Sequence, residues 1–466
     1  MFLFASIVQY TYCIFMVQFP DEILHEAEEQ ARGPMPQKHR RFRKIGRLLR
    51  ILGPGIVTGA ADDDPSGIAT YSQAGAQFGF QTPWTMLFTY PLMTAVQEAC
   101  MRIGAVTGKG LAATVREHYP KKILYPVIGL VVLANTLNIG SDIGAMAASA
   151  KLLTPALPFP LLAVAFALLI ILLEVFISYR TYIRILKWLS MALFAYFITA
   201  FMINVPWWTA IKGTFVPHIE WSAAFLYIIV AIFGTTISPY LFFWQTSNVV
   251  EEEISTRRLP QRGGIPKLTR SYLKDLRIDT AVGMLFSNVT AWFIIIVGAV
   301  VLNQAGITTI DSAADAAKAL EPLVHTFPNA GFLAKLIFAI GVIGIGLQSI
   351  PVLAGSSAYA VAETFSWKEG LYRKFRQSRN FYLVIICGTL AGLLFNFIGF
   401  DPIKALVFTA VFNGLAAVPL IFLIARIASR EDVMGEYKSG WLSKLVLWAA
   451  FIIMSTFAVA LLISFM

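Results

Sequence analysis

Long apolar runs, separated by short polar stretches, make up most of this chain. A membrane-crossing helix needs about 20 predominantly apolar residues. By that length the pattern predicts about eleven spans: 51–79, 83–106, 123–150, 158–178, 183–205, 222–248, 279–303, 331–364, 381–400, 403–427 and 441–465. The loops test this division. Lys38 to Arg50 is strongly basic and abuts span 1, which places the amino terminus in the cytoplasm. The loops after spans 2, 4, 6, 8 and 10 should then be basic. They carry Lys109, Arg116, Lys121 and Lys122; Arg180 and Arg184; Arg257, Arg258, Arg262, Lys267, Arg270, Lys274 and Arg277; Lys368, Arg373, Lys374, Arg376 and Arg379; then Arg430 and Lys438. The outward loops hold few basic residues, such as Lys212 and Lys318, and the 304–330 loop is acidic with Asp311, Asp315 and Glu321.

Two spans are interrupted. The stretch Gly53 to Phe80 holds three consecutive carboxylates, Asp62, Asp63 and Asp64, followed by Pro65, Ser66 and Gly67. An aspartate at the centre of a membrane helix costs about 2.5–3.5 kcal/mol on insertion scales. Proline removes a backbone donor, and glycine adds freedom where a helix should be stiff. Span 6 reads Gly234-Thr235-Thr236-Ile237-Ser238-Pro239-Tyr240, with small and hydroxylated residues around a mid-span proline. Irregular backbone at membrane depth is tolerated where it is buried in protein or faces a water-filled cavity. Two broken helices five spans apart, at matching places in two halves, predict an inverted-repeat transporter with a site at the midplane.

Composition agrees with the pattern. The 466 residues are 57% hydrophobic and 14% charged, an all-α polytopic membrane protein in contact with the lipid bilayer. The formal charge of +10 sits in the short loops, not on a soluble face, so nucleic acid is not an expected partner. Cys13, Cys100 and Cys387 have no paired spacing and read as packing residues. Residues 1–18 are apolar but short for a span. They lack the basic leading region and small-residue cleavage site of a signal peptide, and read as an interfacial segment or an upstream start. No nucleophile–base constellation or nucleotide loop is present, so the chain is not expected to be an enzyme or to hold a resident cofactor.

The chemistry at the breaks favours a cation. Unwound helix ends expose carbonyls, and the carboxyl end of a half-helix carries partial negative charge. The candidate ligands are oxygens: Asp64, the carbonyls of Ala61 and Thr235, and Ser238. All-oxygen ligation suits hard ions such as Mg²⁺, Ca²⁺ or Mn²⁺. Asp62 and Asp63 could ligate, hold waters of a hydrated ion, accept hydrogen bonds or cap backbone donors. Asp142 in span 3 is buried by depth, and an intramembrane acid is functional by default. Glu98 and Arg102 stand four apart on one helix face and should pair near the cytoplasmic end; the alternative is a role in permeation. Gln348 either approaches the ion or bonds a neighbouring helix. Trp207 and Trp208 read as an interfacial anchor.

These residues carry a resemblance to the Nramp divalent-metal transporters over nearly the whole chain. Asp64-Pro65-Ser66-Gly67 stands where that family has Asp-Pro-Gly-Asn, and Thr236-Ile237-Ser238-Pro239-Tyr240 where it has Thr-Val-Met-Pro-His. Ala74-Gly75-Ala76-Gln77-Phe78-Gly79 matches closely, as do Arg102, Gly104 and Val106-Thr107-Gly108-Lys109; Gly346-Leu347-Gln348-Ser349 with Ala354-Gly355 is similar to its span 8 signature. The resemblance implies a LeuT-like fold: two inverted five-helix repeats at 51–205 and 206–427. Residues 1–50 would form a cytoplasmic tail, and 428–466 a cytoplasmic loop and an eleventh helix.

The departures carry further implications. The family's ligand methionine is Ser238 here, and its ligand asparagine is Gly67. Its two span 6 histidines are Tyr240 and Gln245. Its proton-accepting span 3 aspartate is Ile139, while the neighbouring acid is kept as Asp142; its span 10 glutamine falls near Val411, with Asn413 the nearest polar candidate. These losses are similar to the Nramp-related magnesium transporter branch. The expectation is a multi-pass plasma-membrane carrier of Mg²⁺, and also Mn²⁺, uncoupled from protons and working by alternating access. The alternative is a proton-coupled Mn²⁺/Fe²⁺ importer. A sodium-coupled amino-acid transporter would not need clustered carboxylates, and a receptor or scaffold would need no broken helices.

Overall fold

The computed structural model describes residues 59, 62–176, 193–260, 264–325, 327, 329–399 and 401–465. The expected cytoplasmic tail, most of the first half of span 1 with Ala61, and the start of span 5 lie outside the described residues. Every described element is helical.

In chain order the helices are α1 (Pro65–Phe78), α2 (Trp84–Thr107), α3 (Leu111–His118), α4 (Lys121–Leu153), α5 (Phe159–Phe176), α6 (Phe194–Met202), α7 (Trp207–Phe215), α8 (Ala223–Thr236) and α9 (Pro239–Ser255). Then follow α10 (Arg270–Val297, widening into a π-helical stretch at Gly298–Asn303), α11 (Ala313–Lys318), α12 (Glu321–Val324), α13 (Ala330–Phe365), α14 (Arg379–Phe395), α15 (Pro402–Ser429), α16 (Glu431–Met434) and α17 (Trp441–Ser464). Among the described residues, seven helices are long and apolar enough to cross a membrane, counting Ala223–Ser255 as one; Arg379–Phe395 is apolar but shorter.

The outer helices show what surrounds them. α5 buries only Ala163, Ala167 and Ile170, one stripe at helical spacing. Its Leu161, Leu168, Leu172 and Phe176 stand exposed, an apolar outer face suited to lipid. Trp208, read from sequence as part of an interfacial anchor, is 79% exposed at the start of α7.

Both interruptions fall where the prolines predict. Pro65 and Pro239 occupy first-turn positions of α1 and α9, where a missing N–H costs nothing because that group has no helical partner. Asp64 caps α1, accepting the Gly67 N–H at 2.8 Å. Ser238 precedes α9 but does not cap it. Its hydroxyl turns back to the end of α8, donating to the Thr235 carbonyl at 2.7 Å, with the Gly234 carbonyl the alternative acceptor at 3.2 Å. It thereby satisfies one carbonyl that the helix end leaves unpaired.

The inner helices pack closely. α4 runs beside α13, α15 and α14, and α8 lies along α15. At the α8–α15 crossing a Cβ on Gly234 would lie 1.9 Å from Ala410 O, and one on Gly414 would lie 2.6 Å from Val230 O. Backbone meets backbone there, with no room for a methyl group.

Candidate cation site

The three consecutive aspartates do not act as a unit. All three are buried, at 1% exposure each. Asp62 and Asp63 turn toward α10, where Ser287 Oγ lies 2.8 Å from Asp62 Oδ2 and 2.9 Å from Asp63 Oδ1. One hydroxyl has one proton, so it satisfies one of these oxygens at a time. Asp62 Oδ1 and Asp63 Oδ2 have no hydrogen-bond partner among the described residues.

Asp64 instead faces the gap between the two interrupted helices. Its Oδ1 accepts from Gly67 N–H and from Ser66 Oγ at 2.5 Å; its Oδ2 accepts from Asn138 Nδ2 of α4 at 2.8 Å. Ser66 Oγ lies 3.5 Å from Thr235 Oγ1, across the gap. A Cβ on Gly67 would stand 3.1 Å from Thr235 Oγ1 and 3.7 Å from Asp64 Oδ1, so the missing side chain belongs to this same space. The sequence-derived candidates Asp64, Gly67 and Thr235 therefore meet here, Thr235 through its hydroxyl; its carbonyl, the expected ligand, accepts from Ser238 Oγ at the second break. Asp63, a candidate ligand by sequence, sits with Asp62 on the α10 side.

The remaining candidates are dispersed. Asp142 Oδ2 accepts from Ser349 Oγ of α13 at 3.1 Å, and its Oδ1 has no partner. Gln348 is buried beside Ser349. Tyr240 is fully buried in the first turn of α9, and its carbonyl accepts from Ser356 Oγ at 2.7 Å. Gln245 reaches Thr280 Oγ1 at 3.5 Å, two helical turns along α10 from Ser287. Asn413 of α15 is buried with neither amide atom hydrogen-bonded. It lies one turn beyond Thr409, whose hydroxyl is 3.1 Å from Ser141 of α4. Glu98 stands in an ion-pair cluster, 3.0 Å from Arg102 Nε and 2.7 Å from Arg277 Nε. Arg102 also bonds Tyr437 O and Ser439 Oγ, tying α2 to the segment before α17.

Two residues that the sequence reading passed over hold the aspartates, Asn138 and Ser287. The available signal was only that each is polar in an apolar run, which many packing residues also are.

Among the described residues, no Lys, Arg or His forms an ion pair with Asp62, Asp63, Asp64 or Asp142. Buried charges persist only when compensated, so these carboxylates call for cations or protons from outside the chain. No three His, Cys, Asp or Glu among the described residues converge as a ready metal cage. The donors suit an ion that keeps part of its water.

Two interrupted helices meeting at a buried carboxylate define a LeuT-like membrane carrier. The structure resembles solved members of that class: the manganese transporter of Eremococcus coleocola (TM-score 0.67, 18% identity, 93% of this chain and 88% of that one). A nucleobase-cation-symport-1 family transporter gives 0.54 at 16% identity, covering 89% and 90%, and MhsT in complex with L-phenylalanine gives 0.51 at 13%, covering 88% and 97%. The family described as "Natural resistance-associated macrophage protein-like" (Nramp) matches residues 55–464, and the chain belongs to it. It is 24% identical over 433 residues to a divalent metal cation transporter, MntH, of Staphylococcus aureus, covering 90% of this chain and 91% of that protein.

Proposed function

We propose that this chain carries divalent cations across the plasma membrane, Mg²⁺ foremost with Mn²⁺ accepted, without moving protons. The observation that carries the reading is Asp64: a buried carboxylate between two helix breaks, with no ion-pair partner among the described residues. Family membership and the likeness to transporters of divalent metal and manganese support the substrate class. The choice of Mg²⁺ rests on the donors. Gly67 adds none, Ser238 offers oxygen where a thioether would favour softer metals, and a hydrated hard ion needs few protein ligands.

The absence of proton coupling rests on the histidines. His118, His218 and His325 all lie at helix ends or in loops, so no described histidine stands at the site. Histidine is the side chain that most readily exchanges protons near neutral pH.

A second reading is kept, that of a proton-coupled Mn²⁺/Fe²⁺ importer. The uncompensated carboxylates Asp62, Asp63 and Asp142 favour it, because protons could neutralise them as well as metal could. One experiment separates the two. Purified protein in liposomes is given Mg²⁺, Mn²⁺ or Ca²⁺ gradients while internal pH is recorded. Mg²⁺ uptake at constant pH supports the first reading. Acidification that tracks uptake, and disappears in Asp142→Asn, replaces it with the second.

A further inference from the structure

Counting lone pairs on Asp64 locates where an ion can approach it. A carboxylate offers about four acceptor positions, two on each oxygen. Oδ1 is filled by Gly67 N–H and Ser66 Oγ. Among the described residues Oδ2 accepts one bond, from Asn138 Nδ2 at 2.8 Å, which leaves it one position. The open position is therefore on the oxygen that Asn138 grips.

Asn138 is itself half-satisfied. It is fully buried, its NH₂ donates to Asp64, and its Oδ1 has no hydrogen-bond partner among the described residues. A buried acceptor left without a partner is destabilising, so such an atom is expected to meet a donor or a cation. The amide is planar, so while Nδ2 holds Asp64, Oδ1 is the neighbouring acceptor. The carrier of this amide is stiff: α4 is 33 residues long and packed along α13, α14 and α15.

The same face of α4 repeats the arrangement. Asn135, three residues earlier, gives its NH₂ to Leu353 O at 3.2 Å and Ser357 Oγ at 2.9 Å, and leaves Oδ1 unpartnered. Asp142, four residues later, accepts from Ser349 and also leaves Oδ1 unpartnered. Seven residues of helix span about 10 Å. Over that length, three side chains are each held through one end, Asn135 by two bonds and Asn138 and Asp142 by one, and each presents one oxygen with no partner among the described residues.

We propose that Asn138 Oδ1 is a direct ligand of the transported cation, completing on α4 the shell that Asp64 Oδ2 begins. The proposal rests on reading the site as one for a divalent cation. It gives span 3 the donor that Gly67 no longer supplies from span 1. A neutral amide oxygen is a hard ligand, so Asn138 also sets preference for hard over thiophilic ions.

The rival role is that Asn138 only positions Asp64, and two variants separate the roles. Asn138→Cys places sulfur at the ion. Asn138→Asp keeps an oxygen but removes the donor that holds Asp64. Full-length protein is reconstituted for Mg²⁺ and Cd²⁺ uptake, and in detergent is titrated with Cd²⁺ while the ultraviolet cadmium–thiolate band is followed. The wild-type chain, with its three cysteines, is the blank. For Asn138→Cys, a direct ligand gives a rise of about tenfold in the Cd²⁺ to Mg²⁺ uptake ratio, together with a new band. For Asn138→Asp it leaves Mg²⁺ uptake saturable. If both variants lose all ions in parallel, with the ratio unchanged and no band, the proposal is overturned. A wild-type protein that moves no divalent cation removes the underlying reading instead, so the two failures are distinguishable. Should Asn138→Cys not fold, saturable Mg²⁺ uptake by Asn138→Asp supports the proposal and loss of uptake overturns it.

Discussion

Tyr71 of α1 and Thr236 of α8 lie 3.1 Å apart, hydroxyl to hydroxyl, and join the two interrupted helices across their gap. Thr236 spends its own proton on Ile232 O at 2.6 Å, so Tyr71 is the donor. Both residues are buried. Tyr71→Phe should therefore cost about 0.5–1.5 kcal/mol, the net value of one hydrogen bond. The expected result is a modestly lower melting temperature and slower uptake with little change in KM. A rate equal to wild type would mean that this bridge is not used in the transport cycle.

Asp64→Ala should abolish uptake while the protein still runs as a monodisperse species in detergent. The variant removes the carboxylate from the gap and leaves Gly67 N–H, Ser66 and Asn138 without their acceptor. Wild-type rates of Mg²⁺ transport in this variant would disprove the site assignment.

Ser238→Met tests the second break. The substitution removes the hydroxyl that holds Thr235 O, with Gly234 O its alternative acceptor, and it brings a thioether to the gap. Mg²⁺ uptake should fall while Mn²⁺ and Cd²⁺ uptake improve relative to it. An unchanged order of ions, measured by competition, would place position 238 away from the ion's path.

Glu363 at the end of α13 gathers three elements. Its carboxylate accepts from Ser247 Oγ of α9 at 2.8 Å and from Ala113 N–H of α3 at 3.0 Å. Glu363→Ala would strand both donors, at about 1–3 kcal/mol for each one left buried. Thermal unfolding should show a clear loss of stability, and Glu363→Gln should recover part of it because its amide oxygen still accepts.

The breaks were legible because proline, glycine and clustered acid in an apolar run conflict with the local rule for a membrane helix. Pro65 and Pro239 fall within the structure at the positions that conflict predicts. The start of α10 was less legible. The apolar window begins at 279, but the helix begins at Arg270, because hydropathy reports the bilayer and not the helix itself. The short helices α3, α7, α11, α12 and α16 gave no apolar signal long enough to notice. The partners of the aspartates were hidden for another reason. Whether Asn138 or Ser287 faces an aspartate depends on how α4 and α10 are rotated against the first break. That rotation is fixed by tertiary packing, which a linear pattern does not contain.

The contact of Gly234 with Ala410 and Gly414 has a mechanical consequence. Two helices separated by side chains can slide, since rotamers yield; two backbones in contact cannot. α8 and α15 are thus fastened like welded beams, and the weld ends at Thr236. Any rocking of the second half of span 6 must pivot on Ile237 and Ser238. From that pivot α9 extends 17 residues, an arm of about 25 Å. A turn of about 10° at its base would sweep the far end by about 4 Å, from the geometry of such an arm. Part-way along that arm lies Ser247, pinned to Glu363. The lever therefore has its fulcrum at the second break and is held along its length, by Ser356 on Tyr240 O, by the close approach of Gly104 to Thr246 O and by Ser247 on Glu363, so a stroke must carry α2 and α13 with it or break these contacts together.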